Sequence, residues 1–391
     1  MWIWYNVYMK TIGLFLETSC EYGREFLKGV AKYAQERRDW RLALVDLPGI
    51  SADKKIFSDC DGIIARVGEA RTIERLKATR LPIVDAFCHF KDTGFIMVDL
   101  DHAQVAAMAA EYFLRHGFRS FAYCGFKGTG YSDEYFSAFS RILANAACTC
   151  IEYPEPEPPS DAAFYSLRPR IPGNTQKLQA WLKALPPQTA IFCATDLRAY
   201  EIIKLCAQIG RNVPGDLAVM GVDADTVLCA CSQPSITSID PNAAKIGYAA
   251  ARLLNAAMEN GGKPLKRHDV HRIKPRGIVE RESTATYPVK PDWFARALEY
   301  VDANMSSPVS SIDLARVAGV SQTALAKAFQ RTFGVSTGKY ILAAKMREAE
   351  RMLDEGELLV KQIAARIGFS SVQYFSRTYK QYFGKAPSLG R

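Results

Sequence analysis

A repeat near the C-terminus constrains the fold of this 391-residue chain more than any other feature of its sequence. The run LARVAGVS, from Leu314 to Ser321, returns 49 positions later as IAARIGFS, from Ile363 to Ser370. Four later positions return at an offset of 50, which indicates that one residue is inserted within the second copy. These positions are Leu325, Phe329, Phe333 and Gly334, which match Phe375, Tyr379, Phe383 and Gly384.

Each copy is typical of two helices joined by a tight turn. Alanine lets the helices cross closely, glycine accommodates the turn, and we expect Ser321 and Ser370 to cap the second helix of their copies. Apolar residues at i, i+4 and i+8 predict a buried stripe on that helix, so its opposite face is left exposed. The exposed face is expected to carry Gln322, Thr323, Ala326, Lys327 and Gln330 in the first copy, and Val372, Gln373, Ser376, Arg377 and Lys380 in the second.

The segment between the two copies, Ser336 to Asp354, predicts one helix about 27 Å long. Lys345, Arg347 and Arg351 lie along it. Because successive major grooves on one face of DNA recur about every 34 Å, this spacing favours two reading helices in successive grooves of a bent duplex.

Charge is concentrated in the same region. The net charge is +9, and residues from Ser311 onward contribute 13 Lys or Arg against 6 Asp or Glu. A basic surplus confined to the last fifth of the chain indicates an acidic polymer as partner. For any single helix, an ordinary bundle with solvated charge is the alternative, but the repeat and the charge together favour double-stranded DNA.

The chain before this region alternates short apolar runs with longer amphipathic stretches, which predicts parallel sheets with crossover helices. Predicted helices cover residues 22–35, 103–116, 198–208 and 242–258. Predicted strands cover residues 11–16, 42–45, 62–65, 82–85, 95–98, 120–124, 190–194, 217–221 and 235–239.

Composition places the domain boundaries. An α/β domain is predicted over residues 10–283, a polar linker with two prolines over 284–291, and an all-helical domain over 292–391. The proline-rich stretches 153–160 and 168–173 are predicted to be loops inside the α/β domain. Translation starts at Met1 or Met9. No apolar run is long enough for a membrane span and no signal peptide is evident, so a cytoplasmic protein without membrane contact is expected.

The ten cysteines are expected to be reduced. They contain no C-x-x-C pair, and no histidine pair lies near them, so neither a metal site nor a cofactor is predicted.

The helical tail resembles the AraC-type DNA-binding domain over about 100 residues. The resemblance rests on Ile363, Ala364, Gly368, Phe369, Tyr374, Phe375, Tyr379, Lys380, Gly384 and Pro387. It implies base contacts from the second helix of each copy, at Gln322, Thr323, Lys327, Gln373 and Arg377. Tyr374 is left out because we expect it to be half buried. The family's aromatic-Arg pair after the proline is replaced by residues 388–391.

Polar residues follow two predicted strands of the α/β domain. Asp196 and Arg198 come just after one strand, and Asp223 follows the next. The carboxyl ends of parallel strands are where open α/β sheets bind ligands, so these residues are expected at one crevice. The segment from Thr11 to Arg281 resembles the two-lobed type I periplasmic-binding-protein fold of LacI-like repressors, without the N-terminal helix-turn-helix of that family.

A sensor followed by an AraC-type reader is the order of the xylose operon regulator family, which this chain resembles. The resemblance implies an activator of D-xylose or pentose utilisation genes that binds operator DNA as a homodimer and works with RNA polymerase. The sugar contacts it implies are Glu17, Tyr22, Arg24, Phe87, Asp99, Tyr131, Asp196, Arg198 and Asp223.

Each contact has a structural alternative. Asp196 can serve only as a helix cap, Arg24 as a solvated charge, and Phe87 or Tyr131 as a packing aromatic.

Three other functions stay open at this level. The effector can be another sugar or metabolite, the α/β domain can be only a dimerising scaffold, or the protein can be a sugar-processing enzyme. Against an enzyme, the sequence has no G-x-G-x-x-G at a strand-helix junction, no Walker loop and no G-x-S-x-G elbow. We therefore expect a regulator rather than an enzyme.

Overall fold

A computed structural model describes residues 9–45, 57, 59–68, 70–88, 90, 93–153, 174–260, 270–305, 307, 309–356 and 358–387. The predicted proline-rich loops, apart from Tyr153, lie outside the described residues, as do residues 1–8 and 388–391. The chain forms two compact units. The first unit contains residues 1–110 and 121–284, and the second contains residues 111–120 and 285–391.

Two six-stranded sheets form the first unit, with strand orders β11-β5-β4-β3-β1-β2 and β12-β10-β9-β8-β6-β7. The strands of the first sheet are β1 (Lys10–Phe15), β2 (Trp40–Val45), β3 (Gly62–Ala65), β4 (Ile83–Asp85), β5 (Ile96–Leu100) and β11 (His271–Ile273). Those of the second are β6 (Ser120–Cys124), β7 (Cys150–Glu152), β8 (Thr189–Cys193), β9 (Leu217–Val222), β10 (Thr237–Asp240) and β12 (Gly277–Val279). The chain passes between the sheets after β5, β10 and β11, so each sheet forms one of two connected lobes.

Within the described residues, eight helices connect these strands: α1 (Glu21–Arg37), α2 (Ala70–Thr79), α3 (His102–Arg115), α4 (Gly130–Asn145), α5 (Asn174–Ala184), α6 (Asp196–Ile209), α7 (Thr226–Cys231) and α8 (Ala243–Glu259). The predicted α/β architecture is confirmed. The prediction missed β7, β11 and β12, which have three residues each and no buried residue, whereas it found the equally short β4, which is buried throughout.

Helices α1 and α8 cross at two glycines. A Cβ atom on Gly29 would lie 1.9 Å from the carbonyl oxygen of Ala244, and one on Gly247 would lie 2.0 Å from that of Phe26. Since both obstacles are backbone atoms, only glycine allows this crossing. Helix α8 follows β10 of the second sheet along the chain, and this crossing packs it against the first lobe.

Six helices of the second unit follow residue 285: α9 (Asp292–Ala303), α10 (Ser311–Ala318), α11 (Gln322–Phe333), α12 (Thr337–Glu355), α13 (Val360–Arg366) and α14 (Val372–Phe383). They enclose two hydrophobic cores, one around Leu314, Leu325 and Phe329 and one around Ile363 and Phe375. Helix α12 is the predicted spacer, and it contributes Ile341 to the first core and Met352 to the second.

Both helix pairs turn through a glycine with positive φ, at 70° for Gly319 and 79° for Gly368. Ser321 caps α11 as predicted, since its hydroxyl accepts from the amide of Ala324. The prediction that Ser370 caps α14 is wrong, because Ser371 does so and accepts from the amide of Tyr374. The inserted residue therefore lies in the turn, before the cap.

The segment predicted as a linker is anchored at both ends. Ser283 and Thr284 are buried, and each hydroxyl makes a hydrogen bond in the first unit, Ser283 with the carbonyl of Val219 and Thr284 with Thr237. Val289 packs in the first core of the second unit. Within the part of the chain that the structure describes, no helix is long and apolar enough to cross a lipid bilayer.

Candidate functional site

Strand ends of the two lobes meet at a cleft in the first unit. Three charged residues, Asp99, Arg66 and Asp223, act electrostatically on the hydroxyl of Tyr22, which lies near the start of α1. Burial, Asp99 and Asp223 raise the pKa of the Tyr22 hydroxyl, whereas Arg66 opposes that shift. The structure therefore places Tyr22 and Asp99 of one lobe within electrostatic range of Asp223 of the other.

Two carboxyl groups line the second lobe's side of this cleft. Burial raises the pKa of Asp223, and the nearby Asp196 raises it further. Asp223 also has a φ of 116°, a conformation that is strained for a residue with a side chain. Burial raises the pKa of Asp196 to about 7. Both carboxyls are thus held where their charged forms are poorly solvated.

Asp196 is held by its own lobe. Its Oδ2 accepts from the amide of Asp225 at 2.8 Å and from the thiol of Cys229 at 3.3 Å, while its Oδ1 has no partner among the described residues. The alternative that Asp196 only caps α6 is wrong, because Thr195 is the cap residue.

Aromatic rings face each other across the cleft. Phe87, just after β4, has its ring centroid 6.3 Å from that of Tyr131, in the first turn of α4. The guanidinium of Arg66 lies 3.9 Å from the centroid of the Phe87 ring. Tyr131 also packs at 5.8 Å against Tyr135. These faces can pack against the C–H groups of a small ligand.

Asp99 belongs to a charged network. Arg272 donates to Asp99 Oδ2 at 3.3 Å, to the carbonyl of Leu100 at 3.0 Å, and to Glu134 of the other lobe at 3.1 Å. His102 lies 3.0 Å from Glu134 Oε2. Burial nevertheless raises the pKa of Asp99.

Three of the predicted ligand residues are engaged elsewhere. Glu17 accepts from the amide of Ser19, and Arg24 donates to the carbonyls of Thr18 and Ser19, so both brace the loop before α1. The Arg198 side chain is fully buried, pairs with Glu201 at 2.9 Å and donates to the carbonyl of Gly125. These contacts give Arg24 and Arg198 structural roles.

Sequence reasoning missed three charged residues of the cleft region. Arg66 follows β3 directly and Asp85 ends β4, so the strand-end argument that found Asp223 also applies to them. Asp85 Oδ1 accepts from the amides of Val67 and Phe87, and burial raises the pKa of this carboxyl to about 7. Arg272 lies on the short strand β11 and gave no signal in the sequence.

The second candidate surface lies on α11 and α14 of the second unit. All five predicted base-contacting residues are exposed on these helices: Gln322, Thr323, Lys327, Gln373 and Arg377. The opposite faces are buried through Leu325 and Phe329 on α11 and through Phe375 and Tyr379 on α14. The prediction is confirmed for these residues. It is wrong for Val372 and Ser376, which were expected on the exposed face of α14 but are half-buried, Val372 against the second core. Phe333 and Phe383, at the ends of the predicted buried stripes, are also only half-buried.

The expectation that Tyr374 is half buried is wrong. Its side chain is 57% exposed, in the first turn of α14 between Gln373 and Arg377. The ring centroid of Phe369 lies 5.5 Å away and supports one side of the Tyr374 ring. Tyr374 is therefore a further candidate for contact with DNA. The sequence argument left it out because a partly apolar side chain was expected to be half buried.

Comparisons with known proteins match both domains. A family model described as a periplasmic binding protein-like domain matches residues 110–284, and one described as a helix-turn-helix domain matches residues 314–391. Over 90 residues the chain is 34% identical to the multiple antibiotic resistance protein MarA of Escherichia coli K12, covering 23% of this chain and 71% of that protein.

Two comparisons cover nearly the whole chain. The xylose operon regulatory protein of E. coli K12 is 25% identical over 388 residues, which are 96% of this chain and 95% of that protein. The solved structure of a xylose-binding transcription activator superposes with a TM-score of 0.60 at 23% identity and covers 97% of each chain. These full-length relatives are transcription regulators and not enzymes. The chain is therefore a DNA-binding transcription regulator in which a periplasmic-binding-protein-like domain precedes an AraC-type helix-turn-helix domain, and over nearly its whole length it is similar to the xylose operon regulatory protein.

Proposed function

We propose that the first unit binds a neutral pentose, D-xylose or a close epimer, and that this binding controls transcription of sugar-utilisation genes. The observation that carries the proposal is that Arg66 lies 3.9 Å from the Phe87 ring, which approaches Tyr131 of the other lobe at 6.3 Å, and that Arg66, Asp99 and Asp223 all act on the Tyr22 hydroxyl. Carboxylates accept hydrogen bonds from hydroxyl groups, and a guanidinium donates to them, so this set suits a polyol.

The balance of charge favours a neutral ligand over a phosphorylated one. Burial already disfavours the anionic forms of Asp99, Asp196 and Asp223. A sugar hydroxyl can donate to these groups and replace lost hydration, whereas a phosphate would add charge of the same sign. The Phe87 and Tyr131 rings supply the apolar contacts that sugar C–H groups need.

For the second unit we propose that α11 and α14 enter successive major grooves of the operator. Helix α12 has 19 residues, about 28 Å at 1.5 Å per residue, close to the groove repeat of about 34 Å. Gln322, Thr323, Lys327, Gln373 and Arg377 would contact base edges and phosphates. Activation through RNA polymerase, a homodimer on a symmetric operator and a cytoplasmic location complete the proposal.

The first test is thermal unfolding of the full-length protein with a panel of pentoses, hexoses and pentose phosphates. A ligand at 100 times its Kd adds about 2.7 kcal/mol to the free energy of unfolding. We expect a shift with xylose or a close epimer, none with its phosphate, and loss of the shift in Asp223→Asn and Asp99→Asn. Lys204→Ala, on the exposed face of α6, is the matched control and should keep the shift.

The outcomes separate the alternatives. A shift with another metabolite alone would replace the sugar assignment and keep a sensor. No shift with any small molecule, together with intact operator binding, would favour the scaffold alternative. Turnover of a sugar by the purified protein would instead support an enzyme. Sedimentation with operator DNA tests the dimer, and in vitro transcription tests activation.

A further inference from the structure

A hydrogen-bonded pair joins the two lobes at the cleft. Glu21, the first residue of α1, belongs to the lobe of the first sheet, and Thr226, the first residue of α7, belongs to the lobe of the second. The Glu21 carboxylate accepts from the Thr226 amide at 2.5 Å and from its hydroxyl at 2.8 Å. The two residues are 205 positions apart, so the lobe arrangement alone brings them together.

The position of this pair differs from that of the ion pair between the lobes described above. Glu134 meets Arg272 on β11, and the chain passes from β11 to β12 of the other sheet after only a few residues. That contact therefore lies beside a crossover, where rotation of the lobes moves atoms least. Glu21 and Thr226 follow β1 and β9, and neither of these strands leads into a crossover. A rotation about the crossovers would separate this pair.

The backbone beside Thr226 also connects it to the ligand cleft. Asp223 and Ala224 have φ angles of 116° and 51°, both in the positive region that side chains disfavour. The amide of Asp225 is held by Asp196, and that of Ala224 by the Ser238 hydroxyl. Only two residues, Ala224 and Asp225, thus separate Asp223 from the contact between the lobes, and the backbone amide of each is fixed by a hydrogen bond. A shift of Asp223 would displace Thr226.

We propose that Glu21 and Thr226 form a clasp that holds the two lobes in the closed arrangement and slows ligand release. Both are positioning residues, since neither belongs to the cluster around Arg66. Their effect on ligand release rests on the proposed sugar-sensing function. Their effect on the lobes does not, so the two parts are tested separately.

The first experiment measures the distance between the lobes in the full-length protein without sugar. Spin labels carried on unnatural amino acids at Lys32 of α1 and Lys204 of α6, both exposed, report this distance. We expect Glu21→Ala to shift the distribution to longer and broader distances than in the unsubstituted protein. Glu25→Ala is the matched control, because Glu25 lies one turn further along α1 and pairs with Lys28 of the same helix. Identical distributions for Glu21→Ala and the unsubstituted protein would overturn the clasp.

The second experiment measures association and dissociation rates by stopped flow, with whichever sugar stabilises the protein. Loss of hydrogen bonds to a charged group should raise the dissociation rate about tenfold in Glu21→Ala and leave the association rate within about twofold. Thr226→Val should have a smaller effect because the amide contact remains, and Thr226→Ser should restore the original rate. Equal dissociation rates in all variants would refute a role in ligand release. If no sugar binds at all, the proposed function fails, and the distance measurement still decides the clasp.

Discussion

The ligand cleft and the DNA-reading helices use charge in opposite ways. In the cleft, Asp196 is buried and Asp223 is half-buried, and burial raises the pKa of both carboxyls. On the reading helices, Lys327 and Arg377 stand in solvent on faces whose opposite sides are packed in a core. Buried acceptors gain most from a ligand that supplies donors, whereas exposed cations gain most from a polyanion. The difference is what the proposed pairing of a neutral sugar with one unit and DNA with the other requires.

The largest expected effect falls on the first unit alone. Gly29→Ala places a Cβ atom 1.9 Å from the carbonyl oxygen of Ala244, and a backbone obstacle cannot rotate away. We expect the free energy of unfolding of the first unit to fall by about 3 kcal/mol. Denaturant unfolding measures this. Because the second unit has its own cores, operator binding by its helices should survive, and equal destabilisation of both units would contradict their independence.

The next effect falls on the second unit alone. Arg377→Ala removes an exposed guanidinium from the reading face of α14, and we expect operator binding to weaken by about 1 to 3 kcal/mol. Fluorescence anisotropy with labelled operator at fixed salt measures this. Arg252→Ala, on the exposed face of α8 in the first unit, is the control. Unchanged affinity in Arg377→Ala with an intact fold would remove Arg377 from the reading surface.

Tyr374 provides a second test of the exposed face of α14 as a DNA-binding surface. Its exposed ring sits on the reading face, and we expect Tyr374→Ala to weaken operator binding by about 1 kcal/mol, through lost apolar contact with bases. Tyr382→Ala is the control, since Tyr382 is also exposed on α14 but lies near the other end of the helix. An effect as large in Tyr382→Ala would show that α14 contacts DNA along its length rather than through its first turns.

The buried carboxyls give the first unit a distinct pH dependence. Burial raises the pKa of Asp85 to about 7 from 3.8, so the folded state binds this proton more tightly than the unfolded state does. The resulting stabilisation is complete below about pH 4 and is lost as the pH rises through 7. In the unsubstituted protein, Asp85 should make the free energy of unfolding fall by about 1 kcal/mol per pH unit between pH 5 and 7. Asp85→Asn should remove this contribution, so its curve should be flatter over the same range. Parallel curves for the two proteins would contradict a raised pKa.

The smallest effect is a gain in the second unit. Gly338, in the first turn of α12, has open space where a Cβ atom would lie. Gly338→Ala should raise the free energy of unfolding of the second unit by about 0.5 kcal/mol, because alanine loses less backbone freedom in a helix. A loss of stability would show that α12 is more crowded at this end than the structure indicates.

Local patterns in the sequence predicted much of this protein. The buried face of each reading helix repeats every turn, so Leu325, Phe329, Phe375 and Tyr379 were recognisable without any knowledge of distant contacts. The strand-end argument placed Asp196 and Asp223 on one side of a cleft for a similar reason, since polar residues followed apolar runs directly. Where the local signal was weak the predictions failed, as for the cap of α14 and the short strands that have no buried residue.

The sequence by itself determined the α/β architecture, the paired helix-turn-helix units and the faces of α11 and α14, because periodicity and turn chemistry act within a few residues. The tertiary structure alone decided that Arg272 meets Asp99 across 173 positions and that Glu21 meets Thr226 across 205. It also decided that Arg24 and Arg198 brace loops instead of facing the cluster around Arg66. Which charges share a site depends on how strand ends and lobes are brought together, and no local pattern encodes that arrangement.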